Sequence, residues 1–154
     1  MSEDLRYPKG KYQPQPYSQK QKDEWLLDLK FLPSELELAV QNLDEAQLQT
    51  PYRDGGWTVQ QVVHHVADSH MNSFIRFRLT LTENTPTIKP YDQDAWAHLD
   101  DVKLPINISL TLLHSLHRRL VAMLENLPDD AWQRTFYHPE QQKQLTLWYL
   151  LGLY

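Results

Sequence analysis

The sequence contains no cysteine, which excludes disulfide bonds and any metal site built on thiolates. A transition metal would have to be bound by histidine, aspartate or glutamate instead. A chain without disulfides suits the cytoplasm, and we expect that location. The charged N-terminus, residues 1–9, lacks the apolar core of a signal peptide, and no stretch is long and apolar enough to span a membrane.

The sequence also lacks a basic block, a glycine-rich phosphate loop and the motifs of serine hydrolases and zincins. Its net charge of −5 comes from 15 basic and 20 acidic side chains spread along the chain, so we expect neither nucleic acid nor a membrane as a partner. With 41% hydrophobic and 23% charged residues, the composition predicts one globular domain, residues 1–154, with an extended proline-containing arm at 1–17.

Apolar side chains recur at intervals of three and four residues in three long segments, the pattern of amphipathic helices. The segments cover about residues 18–43, 58–82 and 108–127. Pro33 lies in the first segment and should kink or divide that helix. Thr58 opens the second, where a T-x-x-Q capping box predicts the first turn.

The connections and the last residues indicate how these helices are arranged. A long link at residues 85–107, either functional or needed only for topology, joins the second helix to the third, and a hairpin is predicted around His138. Thr146 then caps an apolar run too short to be stable alone. We therefore predict an all-α four-helix bundle with a long crossover between helices 2 and 3 and a fourth helix cut short at Tyr154. Because the missing turns would cover apolar surface, we expect this chain to be unstable or prone to aggregation.

Three histidines in the first turns of the second helix make it the candidate for a metal site. His70 lies within the apolar stripe, and we interpret it as a core imidazole hydrogen-bonded to a facing helix. His64 lies opposite, where we expect exposure, and with Asp68 it forms a pair that either chelates or stabilises the helix. His65 lies at the flank, and spacing alone leaves open whether it is a ligand or an interhelical contact.

The third helix carries a second pair of histidines, His114 and His117, three residues apart. Such a pair can bind a metal, but no acidic side chain is near it in the sequence. We therefore interpret both residues as packing residues. No side chain is assigned as catalytic by its spacing.

Several segments carry a resemblance to a known family. The longest is PYRDGGWTV at residues 51–59, continued by VVHH at 62–65 and ADSHMNS at 67–73. Shorter ones are YP at 7–8, PYD at 90–92 with a nearby tryptophan, FYHP at 136–139 and LGLY at 151–154. Together they resemble the YfiT-like branch of the DinB superfamily over nearly the whole chain.

The resemblance implies a fold, an oligomeric state and a metal. The family is similar in fold to the predicted bundle and is usually homodimeric. Its divalent metal, zinc or nickel, is held by three histidines, of which one matches His65. The other two form an H-x-x-x-H pair on the fourth helix and are expected beyond Tyr154. We expect zinc ahead of nickel, and no stoichiometric metal in this chain.

The resemblance also implies an activity. Family members are described as metal-dependent hydrolases, so we expect a His-bound divalent metal that activates water toward a small-molecule substrate. Related members transfer low-molecular-weight thiols such as bacillithiol or mycothiol, which makes a metal-dependent thiol S-transferase the alternative. A non-catalytic, stress-associated binding bundle is the competing class.

Overall fold

The computed structural model describes residues 5–154, and α-helices account for most of its regular structure. The helices are α1 (Gln19–Val40), α2 (Glu45–Leu48), α3 (Val59–Thr82), α4 (Gln93–Trp96), α5 (Ile106–Leu124) and α6 (Leu147–Leu153). Strands β1 (Thr135–His138) and β2 (Lys143–Thr146) pair as an antiparallel hairpin between α5 and α6. Helices α1, α3, α5 and α6 form the predicted four-helix bundle, in which α5 packs against both α1 and α3.

Helix α3 begins and ends where the sequence predicts. The Thr58 hydroxyl accepts a hydrogen bond from the Gln61 amide at 3.1 Å, and the Gln61 side chain accepts one from the Thr58 amide at 2.9 Å. This reciprocal capping box satisfies two backbone donors that the first turn of a helix would otherwise leave free. The first turns of α3 therefore hold their side chains at a fixed angle to the rest of the bundle.

Helix α1 is not divided by its proline. It runs without a break from Gln19 to Val40 with Pro33 buried inside it, so the expected division is wrong. A proline in a helix interior removes the backbone bond to the carbonyl four residues earlier, which here is that of Leu29. Packing of α1 on α5 holds the helix together, and another donor bonds the Leu29 oxygen, as described below.

The main core lies where α1, α3, α5, α6 and the hairpin meet. Its largest fully buried side chains include Trp132, Phe77, Phe136, Leu29 and Ile88. Helix α6 is only seven residues long, but it places Leu147, Trp148, Leu150 and Leu151 in this core. A short helix of this kind is held by tertiary packing and not by its own propensity.

The link between α3 and α5 folds back over the end of α3. Ile88 donates its amide to the Tyr137 carbonyl at 3.1 Å, and Tyr137 donates its own amide to the Pro86 carbonyl at 2.9 Å, so the link is fixed to β1. Farther along, the Trp57 indole donates to Asp94 at 2.9 Å. Helix α5 then begins at Ile106, two residues earlier than predicted.

The N-terminal arm lies against α1 and α6. Residues 11–17 adopt no regular structure, as the sequence predicts. The Tyr12 ring packs edge-on against Trp25 and Tyr149, and the Trp148 indole donates to the Gln15 carbonyl at 2.7 Å. A Cβ atom on Gly152 would lie 2.5 Å from the Tyr12 hydroxyl, so this close approach requires glycine.

None of the helices within residues 5–154 combines the length and the apolar character that crossing a bilayer requires.

We predict that replacing Thr58 with alanine lowers the free energy of unfolding by about 1 kcal/mol, since the α3 cap is lost. Thr82→Ala, at the other end of α3, is the matched control, because its hydroxyl only returns a bond to its own helix, at Arg78. Its effect should stay within about 0.5 kcal/mol. Urea unfolding followed by circular dichroism measures both, and equal effects would contradict the role given to the cap.

Candidate functional site

A cavity of about 470 Å³ opens beside the C-terminal half of α3. Its walls come from α3, from the link after it, from the hairpin and from the end of α6. Its polar and charged lining residues include Ser69, His70, Arg76, Tyr91, His138, Glu140 and Tyr154. These residues come from four parts of the chain, and the fold-back of the link brings them together.

His70, in the wall of this cavity, is hydrogen-bonded to a second histidine behind it. His117 of α5 and His70 of α3 are buried, and their rings stack with Nε2 of His117 2.8 Å from Nδ1 of His70. The other ring nitrogen of His117, Nδ1, lies 2.5 Å from the Leu29 carbonyl of α1. Three helices of the bundle therefore meet at one chain of hydrogen bonds.

The order of donors in this chain follows from Pro33. Because proline has no N–H, the Leu29 carbonyl has no helical donor four residues later, and a buried carbonyl must be satisfied. A carbonyl oxygen only accepts, so His117 must carry its proton on Nδ1. In neutral His117, Nε2 is then an acceptor, and His70 donates to it from Nδ1. The remaining ring nitrogen of His70, Nε2, is left as a bare lone pair.

His70 presents that lone pair to the cavity. Its Nε2 has no hydrogen-bond partner among residues 5–154, and His70 lines the cavity wall. Burial, together with the neighbouring His117, lowers the pKa of His70 to about 3, and burial also lowers the pKa of His117. Both rings are therefore neutral at neutral pH. The interpretation of His70 as a core imidazole hydrogen-bonded to a facing helix is confirmed. The sequence did not indicate that His70 also lines a cavity.

The expectation that His64 is exposed is wrong. His64 is 6% exposed, its Nε2 donates to the Leu104 carbonyl at 2.8 Å, and the Ser109 hydroxyl donates to its Nδ1 at 2.6 Å. The link and the start of α5 cover the face of α3 that a helical wheel leaves outside. Both ring nitrogens are used by these bonds, so His64 has none left for a chelating pair with Asp68.

His65 lies on α3 with its side chain partly buried, as expected. Its ring packs on the Trp57 ring at a centroid distance of 4.8 Å, and it lines an opening that also includes Leu153 of α6. Burial lowers the pKa of His65, which favours the neutral form that binds metals. His65 is therefore suited to be a ligand beside the fourth helix, and that role stays a prediction.

The described residues do not make a complete metal centre. Within residues 5–154 no group of three or more His, Cys, Asp or Glu side chains comes together in a way that could hold an ion. His65 is a single candidate ligand, and one imidazole binds a divalent metal weakly. These residues on their own do not fit the metal that the resemblance implies, and we derive no catalytic step through it.

The two histidines of α5 have separate partners. His117 is part of the buried pair, while His114 lies on the surface with its Nε2 2.8 Å from a carboxylate oxygen of Glu37 on α1. Each fixes α5 to a neighbouring helix. The interpretation of His117 as a packing residue is confirmed, whereas His114 is exposed and meets an acidic side chain of α1 that is distant in the sequence.

Arg76 is a cavity residue that sequence reasoning did not assign. Its Nη1 lies 3.3 Å from the Tyr154 hydroxyl and its Nη2 lies 3.4 Å from the Lys89 carbonyl, both long for hydrogen bonds. Its Nε is buried and has no partner within residues 5–154. The signal in the sequence was an arginine on the flank of an apolar stripe, which by itself is typical of a solvated side chain.

Tyr91 lies opposite on the cavity wall, where the link crosses α3. Burial raises its pKa, and a hydrogen bond from Ser69 partly offsets that effect. Its ring packs against Trp96 at a centroid distance of 4.5 Å. The hydroxyl of Tyr91 is therefore a neutral polar group at a fixed place in the cavity.

Comparisons with known proteins agree with this fold. The sequence profile of the DinB superfamily matches residues 28–154. The chain is 52% identical over 155 residues to YfiT of Bacillus subtilis, covering 99% of this chain and 87% of YfiT. It is 51% identical over 152 residues to a relative from Bacillus cereus strain B4264, with 98% and 87% covered. Both relatives are provisionally named metal-dependent hydrolases.

A solved structure of Bacillus subtilis YfiT superposes on 97% of this chain and 87% of its own with a TM-score of 0.94. That protein is described as "a probable metal-dependent hydrolase with an unusual four-helix bundle topology". The similarity in sequence and the similarity in structure therefore identify the same relative, and the bundle predicted from the sequence is confirmed.

We predict that this protein loses stability as the pH falls below about 6.5. Histidine in the unfolded protein has a pKa of about 6.5, whereas His70 in the folded protein has a pKa of about 3. Between pH values equal to these two pKa values, the unfolded protein binds one proton at His70 that the folded protein does not bind. The free energy of unfolding therefore falls by about 1.4 kcal/mol for each pH unit below the unfolded pKa. Urea unfolding at pH 7.0, 6.0 and 5.0 measures the free energy of unfolding. The His70→Asn protein should show a dependence on pH that is smaller by about the same amount per pH unit.

Nitrogen-15 chemical shifts of the imidazole rings test the same pair directly. At pH 6.0 both His70 and His117 should be neutral, with the proton on Nδ1 in each ring. An imidazolium signal from either ring at this pH would contradict the donor order given above.

Proposed function

This chain belongs to the DinB superfamily, and we propose that it is a metal-dependent hydrolase whose small-molecule substrate binds in the cavity beside His70. The observation that supports the proposal most is the 52% identity and the TM-score of 0.94 with a protein described as a probable metal-dependent hydrolase. The cavity supports it further, since a concave site with a few convergent polar groups is where small-molecule chemistry usually occurs.

We propose His65 as one ligand of the metal, and zinc as the metal, with nickel as the second candidate. Two features of His65 support this: its neutral, partly buried ring, and its place beside Leu153 where α3 and α6 come together. When bound, such a metal would supply a Lewis acid and an activated water. The other two ligands are the histidines that the family resemblance places beyond the segment matching Tyr154.

The role of His70 follows from its own geometry. A ring nitrogen with a pKa of about 3 binds a proton at pH 7 only about once in ten thousand molecules, so it is a poor general base. As a neutral acceptor, however, Nε2 can receive a hydrogen bond from a hydroxyl, an amine, a thiol or a water molecule in the cavity. We therefore propose that His70 orients the substrate and does not take up its proton.

We predict the following metal contents for four proteins. The chain of residues 1–154 should hold less than one tenth of a metal ion. A chimera that adds the segment of Bacillus subtilis YfiT following its match to LGLY at 151–154 should bind one zinc per chain. His65→Ala in the chimera should abolish binding, while His114→Ala, at an exposed histidine of α5, should not change it.

Inductively coupled plasma mass spectrometry of each purified protein measures the number of metal ions per chain. Stoichiometric metal in the 1–154 chain, or unchanged metal in the His65→Ala chimera, would show that His65 is not a ligand in the way proposed. Thermal unfolding of each variant checks that a loss of metal is not a loss of folding.

The reaction type is tested with the zinc-loaded chimera. It is incubated with an activated ester, and separately with 1-chloro-2,4-dinitrobenzene in the presence and absence of cysteine. Ester hydrolysis that needs the metal supports the proposed hydrolase. If the dinitrophenyl thioether forms only when both metal and cysteine are present, the protein is a thiol transferase and not the proposed hydrolase. If neither assay shows turnover, the result favours the non-catalytic binding bundle.

A further inference from the structure

We propose that the cavity beside α3 binds the anionic group of its ligand, a carboxylate or a phosphate, and that Arg76 is the anchor for that anion. This inference deepens the proposed function, because it assigns the chemical class of the substrate. It does not depend on the metal or on turnover, so the two proposals can fail separately.

Arg76 lacks an anionic partner in the described part of the chain. Among residues 5–154 it forms no ion pair with an aspartate or a glutamate. Its contacts are two neutral oxygens, at Tyr154 and Lys89, at 3.3 and 3.4 Å. A partly buried cation held by two long bonds to neutral groups is poorly compensated for the water it has lost.

The guanidinium group of Arg76 has one donor without a partner within residues 5–154, and the side chain that carries it lines the cavity. Nε of Arg76 is buried and unpartnered in the described part of the chain, and Arg76 lines the cavity. The guanidinium fork matches the geometry of carboxylate and phosphate oxygens and binds them through two parallel hydrogen bonds. An anion in the cavity would supply the charge and the acceptors that Arg76 lacks.

The other charged groups around the cavity do not neutralise Arg76. Within residues 5–154, Glu140 is the only carboxylate side chain in the cavity wall, and it lies exposed in the turn of the hairpin, where water screens it. His138 also lines the cavity, and burial, with a further effect of Arg76, lowers the pKa of His138. Among the described residues, Arg76 is thus the one fixed positive charge in the cavity wall at neutral pH.

His70 and Arg76 together set the orientation of the ligand. His70 offers a lone pair at the inner wall, which would repel an anionic oxygen and accept a hydrogen bond from a donor. The anion therefore belongs at Arg76, and a hydroxyl, amine or thiol of the same ligand belongs at His70. The hydroxyls of Tyr91 and Tyr154 lie in the wall with them as neutral donors.

The test uses three small probes with the 1–154 chain: succinate, inorganic phosphate, and 1,4-butanediol as the neutral analogue of succinate. Nitrogen-15 correlation spectra follow the side-chain Nε–H of Arg76 and the backbone amides of Ser69 and Tyr91. Succinate or phosphate should shift these signals saturably, and butanediol should not. Raising the salt concentration should weaken the binding, because it screens the charge of Arg76.

Two substitutions separate the cavity from the general surface. Arg76→Gln should weaken anion binding by at least about tenfold, the loss expected for a charge-assisted pair. Arg118→Gln removes the same charge from an exposed position on α5 that does not line this cavity, and it should leave the affinity unchanged. Arg76→Lys keeps the charge without the fork and should give an intermediate affinity.

Two results would overturn the inference: no saturable shift with either anion, or equal affinity in the Arg76→Gln protein and the unsubstituted one. Circular dichroism of each variant shows whether it is folded, and the Arg76→Lys protein provides the comparison if Arg76→Gln does not fold. Binding of succinate alone assigns a carboxylate, and binding of phosphate alone assigns a phosphate. If anions bind at Arg76 but the metal experiment fails, the anion site is supported and the hydrolase is not. If metal binds as proposed but anions do not, the hydrolase is supported and the anion site is not.

Discussion

The arrangement of this bundle depends on one buried carbonyl that its own helix does not satisfy. Pro33 deprives the Leu29 oxygen of a helical donor, and a buried, unpaired carbonyl costs too much to be left alone. His117 supplies the missing bond from α5, and His70 of α3 bonds in turn to His117. A residue that normally weakens a helix thus fixes which nitrogens of two histidines carry protons.

Two histidines of α3 have different surroundings because of their spacing along the helix. His65 and His70 are five residues apart, which at about 100° per residue turns their side chains roughly 140° from each other. His65 therefore faces the opening beside Trp57, while His70 faces α5 and the cavity that contains Arg76. The two openings adjoin, since Gln93 and Leu153 line both, so the metal ligand and the substrate-orienting acceptor proposed above belong to neighbouring parts of one site.

The parts of the fold that could be predicted from the sequence are those with local causes. The capping box of Thr58 and Gln61, the cap at Thr146 and the hairpin at His138 each depend on neighbouring residues, and each is present. His64 was wrongly expected in solvent, because a helical wheel does not show where the link and α5 will pack.

The cavity itself could not be predicted, because it is built from contacts between distant segments. Arg76, Tyr91 and Tyr154 are far apart in the sequence, and only the attachment of the link to β1 brings them together. The chain of hydrogen bonds that begins at the Leu29 carbonyl and ends at His70 could not be predicted for the same reason, since Leu29 and His117 belong to different helices. The family resemblance gave the fold and the place of His65, but nothing about this network.

The contact between the N-terminal arm and α6 has a consequence for the order in which the protein forms during synthesis. The ribosome makes Tyr12 and Gln15 early, yet their partners, Trp148, Tyr149 and Gly152, are made more than 130 residues later. Until α6 has left the ribosome, the arm has no α6 surface on which to settle. The arm, although it is synthesised well before α6, therefore settles on that helix late, and a nascent chain stalled before α6 would expose an arm rich in tyrosine and glutamine to the chaperones of the cell.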